Sequence, residues 1–228
     1  MADFTWDPVT NDDTLNPLKG TSHNGTPGLQ GLLHVDQIQV AGPDLLSCLD
    51  DPLDTKDCLP PKDDSTPSDK ITTYDELINY VVGDQCSAGD DATSVKTGTD
   101  GWYRKFLIPR ERNLGQASLL GGMLDFTTYV PFEDPCLSEG MSYLYSLYYQ
   151  TGTPWYESVF GDPPGGAIKA SKELGLGLST TPNLYVGKMQ GAKAFVQTST
   201  GAIVGVKQPN LPFSNYKSGR ASWEELDN

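Results

Sequence analysis

Positive charge is scarce in this sequence, and long apolar runs are missing. The 228 residues carry 16 basic against 30 acidic side chains, which gives a formal net charge of −14. A field of that sign repels a phosphate backbone, so we expect no nucleic-acid partner. No run reaches the roughly 18 apolar residues that a membrane-spanning helix needs. The sequence therefore predicts neither a nucleic-acid-binding protein nor a membrane span.

The motifs of common enzyme chemistry are missing as well. Two glycine-rich stretches, GGM at 121–123 and PPGG at 163–166, lack the spacing that cradles phosphate and are typical of turns. No serine lies in a nucleophile elbow. The adjacent acids Glu133 and Asp134 point differently along an extended chain, which does not suit a catalytic pair. The sequence therefore predicts no enzyme, no catalytic residue and no bound cofactor.

Cysteine and histidine are few, and their spacing does not suit zinc, which prefers CxxC pairs or Cys/His clusters. Disulfides fit the four cysteines better, and three pairings are open to Cys48, Cys58, Cys86 and Cys136. We favour Cys48–Cys58, which closes a short acidic loop, together with Cys86–Cys136. This pairing implies an oxidising compartment. Four free buried thiols in a cytosolic protein are the alternative.

The loop between the first two cysteines concentrates the carboxylates Asp50, Asp51, Asp54 and Asp57. Oxygen ligands held in a closed loop are the kind that Ca²⁺ prefers. Their spacing matches no EF-hand, so solvated surface charge is the first interpretation and calcium the second. We predict no metal ligands here.

Glycine and proline are plentiful and favour short strands joined by turns. Residues 1–100 are acidic and rich in loops. We predict in them one strand at 32–40, with an alternation broken as if by a bulge, and one helix at 72–82 that begins with a Thr73–Glu76 capping box. Alternating segments between turn signals predict antiparallel strands over 101–228, in the same structural unit.

The predicted fold class is therefore mainly β with a helical insertion. Strand pairs recur at a spacing of roughly 50 to 60 residues, which suits blades of a partial or modified β-propeller. A β-sandwich built from hairpins gives the same pattern and stays open as the alternative. Several strands lack polar alternation, which predicts burial on both faces.

Aromatic residues crowd the segment 143–156. Alternation along a strand buries one face, so about half of these rings are expected in the core. Rings that stay outside form a platform for a glycan or a protein partner. The candidate binding aromatics are Tyr148, Tyr149, Trp155 and Tyr156.

Short motifs follow one another in a fixed order after residue 100. They are Gly101-Trp102-Tyr103, Glu111-Arg112, Phe126-Thr127-Thr128, Asp134-Pro135-Cys136, Leu144-Tyr145 with Leu147, Thr151-Gly152, and the closing stretch from Ser222 to Leu226. Together, over about residues 101–226, they resemble the C-terminal region of the PilC/PilY-type adhesin family, found at the tips of bacterial type IV pili. The family's Asp-x-Asp-x-Asn-x-Asp calcium loop does not occur in this sequence, so no calcium ligand is carried over.

The resemblance implies a modified β-propeller, export through the periplasm to the cell surface, and a non-enzymatic role in pilus biogenesis and attachment. The implied partners are pilin or minor pilin subunits and a host or abiotic surface ligand. The first residues, MADFTWDPVTNDD, lack a signal-peptide pattern, so an exported form is expected to be a mature piece or part of a longer precursor. A fragment of a quinoprotein-type propeller dehydrogenase and an extracellular carbohydrate-binding β domain are the alternative functions.

Overall fold

The computed structural model describes residues 32–49, 58–62, 69–82, 101–133, 139–162, 166–187 and 191–213. Twelve strands and one short helix make up the regular structure of these residues. The predicted mainly-β class is confirmed at that level. Within the described ranges, no helix has both the length and the apolar character needed to cross a membrane.

The segment predicted as one strand at 32–40 contains two. A turn separates β1 (Leu33–His34) from β2 (Ile38–Gly42), and the amide of Ile38 closes it by donating to the carbonyl of Val35 at 3.3 Å. The broken apolar alternation marks this turn, so the expected interruption is larger than a bulge. Both Ile38 and Val35 are buried.

Pairing of the N-terminal strands is partly non-local. β2 pairs antiparallel with β3 (Leu45–Cys48). β1 instead pairs in parallel with β4 (Trp102–Tyr103). A parallel pair needs a long crossover connection, and about 65 residues separate β1 from β4. The backbone hydrogen bonds of this pair join the loop-rich first part of the chain to the start of the strand-rich part.

One of the two predicted disulfides lies in the described residues. Cys48, at the end of β3, is bonded to Cys58, with 5.8 Å between the two Cα atoms. This confirms the Cys48–Cys58 pairing.

The other predicted pair, Cys86 and Cys136, lies outside the described residues and stays a prediction. We expect non-reducing peptide mapping of protein exported to an oxidising compartment to recover the Cys86 and Cys136 peptides joined together. Recovery of the two as free thiols would contradict the predicted framework.

The predicted helix forms as α1 (Tyr74–Val82) and begins with the expected capping box. The amide of Glu76 donates to Thr73 Oγ1 at 3.2 Å, and the amide of Thr73 donates back to Glu76 Oε2 at 3.1 Å. The amide of Thr72 donates to the same carboxylate at 2.8 Å. Tyr74, Leu77 and Val81 form the buried face of the helix. Local hydrogen bonding and tertiary packing therefore support the same element.

Replacing Glu76 with glutamine should lower the free energy of unfolding by about 1 kcal/mol at pH 7, because glutamine keeps the capping-box geometry but loses the negative charge near the helix N-terminus. The Thr72 amide, followed by the Thr73 amide and the Lys62 ammonium, lowers the pKa of Glu76 to about 2 from 4.5, against an opposing effect of burial. The stabilisation is therefore present above pH 4.5 and is lost as the pH falls through 2. Urea unfolding at pH 7 and pH 2.5 measures it. The exposed neighbour Asp75, changed to Asn, is the matched control and should shift stability by only a few tenths of a kcal/mol.

Two long central strands dominate the larger sheet. β7 (Met123–Pro131) and β8 (Gly140–Tyr148) pair antiparallel along their full length. β9 (Ser171–Leu176) lies on the far side of β8, while β5 (Arg112–Asn113) and β6 (Ser118–Leu120) both pair with β7. The sheet of five strands is antiparallel throughout.

Burial on both faces of this sheet agrees with the missing polar alternation in the sequence. On one face, Phe126, Tyr145 and Leu147 pack with the half-buried rings of Trp102 and Phe106. On the opposite face, Leu144 packs against the smaller sheet described next. Tyr145 and Leu147 thus lie on one face of the sheet and Leu144 on the other, as the two-residue periodicity of a strand predicts.

The smaller sheet contains β10 (Asn183–Gly187), β11 (Gly191–Gln197) and β12 (Ile203–Gln208), in that order and antiparallel. Its inward residues Ala194, Val196 and Val206 pack on the larger sheet. The two sheets thus contain five and three strands, where a propeller blade has about four. The propeller arrangement stays a prediction.

Candidate functional site

The candidate binding aromatics lie where α1 meets the end of β8. Trp155 is the centre of the cluster: its ring centroid is 4.1 Å from that of Tyr156, 4.7 Å from that of Tyr148, and 5.3 Å from that of Tyr74 in an edge-on contact. Edge-to-face and tilted pairs at these distances stabilise beyond the area that they bury. The helix is therefore joined to the sheet through aromatic packing.

Three buried hydroxyl groups hold this junction from within. Tyr74 Oη lies 3.0 Å from Thr151 Oγ1, the two threonine hydroxyls of Thr151 and Thr153 lie 2.9 Å apart, and Thr153 Oγ1 donates to Tyr74 Oη at 3.2 Å. Each hydroxyl has one donor and acceptors, so a closed ring of three satisfies all of them. Burial raises the pKa of Tyr74 well above its usual value. This residue is therefore a neutral structural group at physiological pH.

Solvent exposure divides the four candidates. Tyr148 is 4% exposed and belongs to the core, whereas Tyr149 is 42% exposed. Trp155 and Tyr156 are half-buried and pack against the core cluster. Tyr149 packs edge-on against Tyr148, with 5.3 Å between their centroids. The most open ring of the predicted platform is thus Tyr149, and a binding role for the four residues stays a prediction.

Residues of distant motifs meet next to this cluster. The Trp102 indole Nε1 donates to the carbonyl of Tyr149 at 2.8 Å, and its ring covers Gly152, where an added Cβ would lie 2.2 Å from the ring. Elsewhere, Thr128 Oγ1 donates to Glu111 Oε1 at 2.5 Å. Direct contacts therefore join the motifs in two pairs: Gly-Trp-Tyr with Thr-Gly, and Glu-Arg with Phe-Thr-Thr.

One curated protein is similar to this chain in sequence. Over 139 residues, the chain is 27% identical to the type IV pilus biogenesis factor PilY1 homolog of Xylella fastidiosa. The similarity is to a pilus protein. It covers 57% of this chain and 11% of that relative, so the chain spans about a tenth of the length of the curated relative it matches. No protein-family model matches the chain, and no solved structure matches it.

A second region, which the sequence reasoning missed, lies beside the disulfide. A cavity of about 320 Å³ is lined by Leu59, Pro60 and Pro61 together with the polar side chains of His34, Gln37 and Lys70. The His34 ring stacks on Tyr103, with centroids 4.6 Å apart and planes 2° apart, and its Nε2 contacts the buried carboxylate of Asp36. These lining residues come together only in the tertiary structure, and no sequence motif identifies them as a group.

The remaining predicted features behave as loop and turn residues where the structure describes them. The GGM stretch forms the turn before β7, with positive φ at Gly121 and Gly122. Glu133 forms an exposed ion pair with Arg110 at 3.0 Å. Within the described ranges, no group of three or more His, Cys, Asp or Glu side chains lies close enough to hold a metal ion. The acidic loop at 50–57, Asp134 and most of the PPGG stretch lie outside those ranges.

A buried carboxyl joins the two sheets. Asp125 on β7 is fully buried and accepts a hydrogen bond at 2.9 Å from Nε2 of Gln208 on β12, which is buried as well. Burial raises the pKa of Asp125 to about 6, while Ser146 and Gln208 lower it by less. Such a shifted carboxyl is a known mark of active sites, but it lies between packed sheets and outside the cavity, which points to a structural group.

Proposed function

We propose that the chain is a non-enzymatic part of a surface protein that acts in type IV pilus biogenesis and attachment. The observation that carries this proposal is the 27% identity over 139 residues to the PilY1 homolog. The direct contacts of Trp102 with Gly152 and of Thr128 with Glu111 support it, because they give the motif residues joint structural roles. The Cys48–Cys58 disulfide supports an oxidising, extracytoplasmic location.

Under this proposal the two antiparallel sheets are parts of blades in a modified propeller. The partners are pilin or minor pilin subunits, with a host or abiotic surface as the ligand for attachment. No catalytic residue or cofactor is needed for such a role, and the exposed ring of Tyr149 is available for a protein or glycan contact.

The test is made in the organism that encodes the chain. We expect deletion of the coding region to reduce both the pilin recovered from the cell surface by shearing and the attachment of the cells. The wild-type gene and a Gly191→Ala gene should restore both, whereas a Gly152→Ala gene should restore less because the contact with Trp102 is disrupted. Unchanged surface pilin and attachment in the deletion strain would overturn the proposal.

A further inference from the structure

The outward face of the smaller sheet differs in composition from the chain as a whole. Alternation and register place ten residues of β10, β11 and β12 on this face. They are two lysines, two aromatics, one isoleucine, three glycines, one asparagine and one glutamine. None of the ten is acidic, although acidic residues outnumber basic ones by 30 to 16 in the sequence. An acidic protein thus carries a locally basic and aromatic surface, named here the β10–β12 outer face.

Both aromatic rings of this face lie along the sheet. A Cβ added to Gly205, the cross-strand partner of Phe195, would lie 3.2 Å from the Phe195 ring. A Cβ added to Gly187 would lie 3.0 Å from the Tyr185 ring. Each ring therefore covers a glycine, whose missing side chain gives it room. Tyr185 is 56% exposed and Phe195 is 37% exposed, so much of each ring meets solvent.

Positive charge lies in the same row as one of these rings. Tyr185 is directly opposite Lys193, and Lys193 is directly opposite the exposed Lys207. Side chains opposite each other on neighbouring strands are about 5 Å apart at Cβ. The exposed ammonium group of Lys207 therefore raises the potential along this row, and the complementary ligand is anionic.

We propose that the β10–β12 outer face binds a carboxylated oligosaccharide, with a sugar ring stacked on Tyr185 and a carboxylate paired with Lys207. Rings that lie flat suit the C–H face of a pyranose. The amide side chains of Asn183 and Gln197, on the same face, supply donors and acceptors for sugar hydroxyls. This inference is independent of the pilus role.

Single-stranded nucleic acid also combines stacking with negative charge. It carries a charge on every nucleotide, however, and a chain with a formal net charge of −14 repels it strongly. A glycan with a carboxylate on every second sugar has a lower charge density and a neutral ring available for stacking. Charge and ring geometry together therefore favour the glycan.

The experiment titrates the full chain with a hyaluronan tetrasaccharide by calorimetry or NMR, at low and at moderate salt. The neutral chitin tetrasaccharide, of the same length, is the control ligand. We expect the hyaluronan fragment to bind at least five-fold more tightly and to lose affinity as salt is added. Tyr185→Ala and Lys207→Gln should each weaken its binding at least five-fold. Lys172→Gln, which removes an exposed lysine of β9 on the other sheet, should leave binding unchanged.

Several results would overturn the proposal. They are no binding of the hyaluronan fragment, equal binding of the neutral tetrasaccharide, an equal loss in the Lys172→Gln variant, and tighter binding of oligo(dT) or polyglutamate through Tyr185 and Lys207. Self-association that the Tyr185→Ala change abolishes would also overturn it, because a second copy would then occupy this face. Because the titration uses purified protein and no pili, its failure is distinguishable from a failure of the pilus assignment.

Discussion

Replacing Gly152 with alanine should destabilise the protein by roughly 2–5 kcal/mol, through overpacking and backbone strain together. Gly152 has a φ of +67°, which disfavours any side chain. The new methyl group would also lie 2.2 Å from the Trp102 ring, whose indole is held by its hydrogen bond to the carbonyl of Tyr149. Urea unfolding followed by circular dichroism measures the loss.

Gly191 provides a matched control for this change. Its φ of +69° is nearly the same, but an added Cβ would meet no atom within 4 Å. Gly191→Ala should therefore lower the free energy of unfolding only through backbone strain, by about 1–2 kcal/mol. Gly152→Ala should become similarly mild in a Trp102→Ala background, because the clash is then removed. Equal costs for the two glycines in the wild-type background would contradict the packing explanation.

Replacing Asp125 with asparagine should stabilise the protein by about 3 kcal/mol at pH 8. Burial raises the pKa of this carboxyl from 3.8 to about 6, and a shift of this size corresponds to roughly 3 kcal/mol. Because the folded state holds the proton more tightly than the unfolded state, wild-type stability falls as the pH rises from about 4 to 6. Asparagine never ionises, so the variant lacks this penalty.

The pH dependence of the stability change distinguishes the ionisation of Asp125 from other causes. The difference in unfolding free energy between Asp125→Asn and wild type should be near zero at pH 3.5 and reach its full value above pH 6. Asp44→Asn, a change of the same kind at an exposed carboxyl, is the matched control. A difference that does not change with pH would show that the charge on Asp125 is not the cause.

The features that were predicted from the sequence are those encoded by neighbouring residues. The capping box of α1 needs only Thr73 and Glu76, three positions apart, and both hydrogen bonds form. The central strands β7 and β8 were recognisable because their apolar runs lack the alternation of a half-exposed strand. The Cys48–Cys58 bridge closes a short loop, which limits the geometry to be satisfied.

What could not be predicted depends on contacts between distant residues. Asp125 and Gln208 are 83 positions apart, and the sequence around each residue does not indicate that its side chain is buried. The segment 101–109 alternates like a strand but forms only the two-residue β4, because its pairing partner is the equally short β1. The division of strands into sheets of five and three, and the glycine beneath Phe195, likewise follow from the register of strand pairing.

The parallel pairing of β1 with β4 has a practical consequence for work on fragments. A fragment that starts at Gly101, where the strand-rich part begins, would lack the amides of Leu33 and Val35, which donate hydrogen bonds to the carbonyls of Gly101 and Tyr103. It would also uncover the Tyr148 and Trp155 rings that α1 covers through Tyr74. Such a fragment should aggregate and be poorly soluble, so the residues before 101 should be retained in any expressed form of the protein.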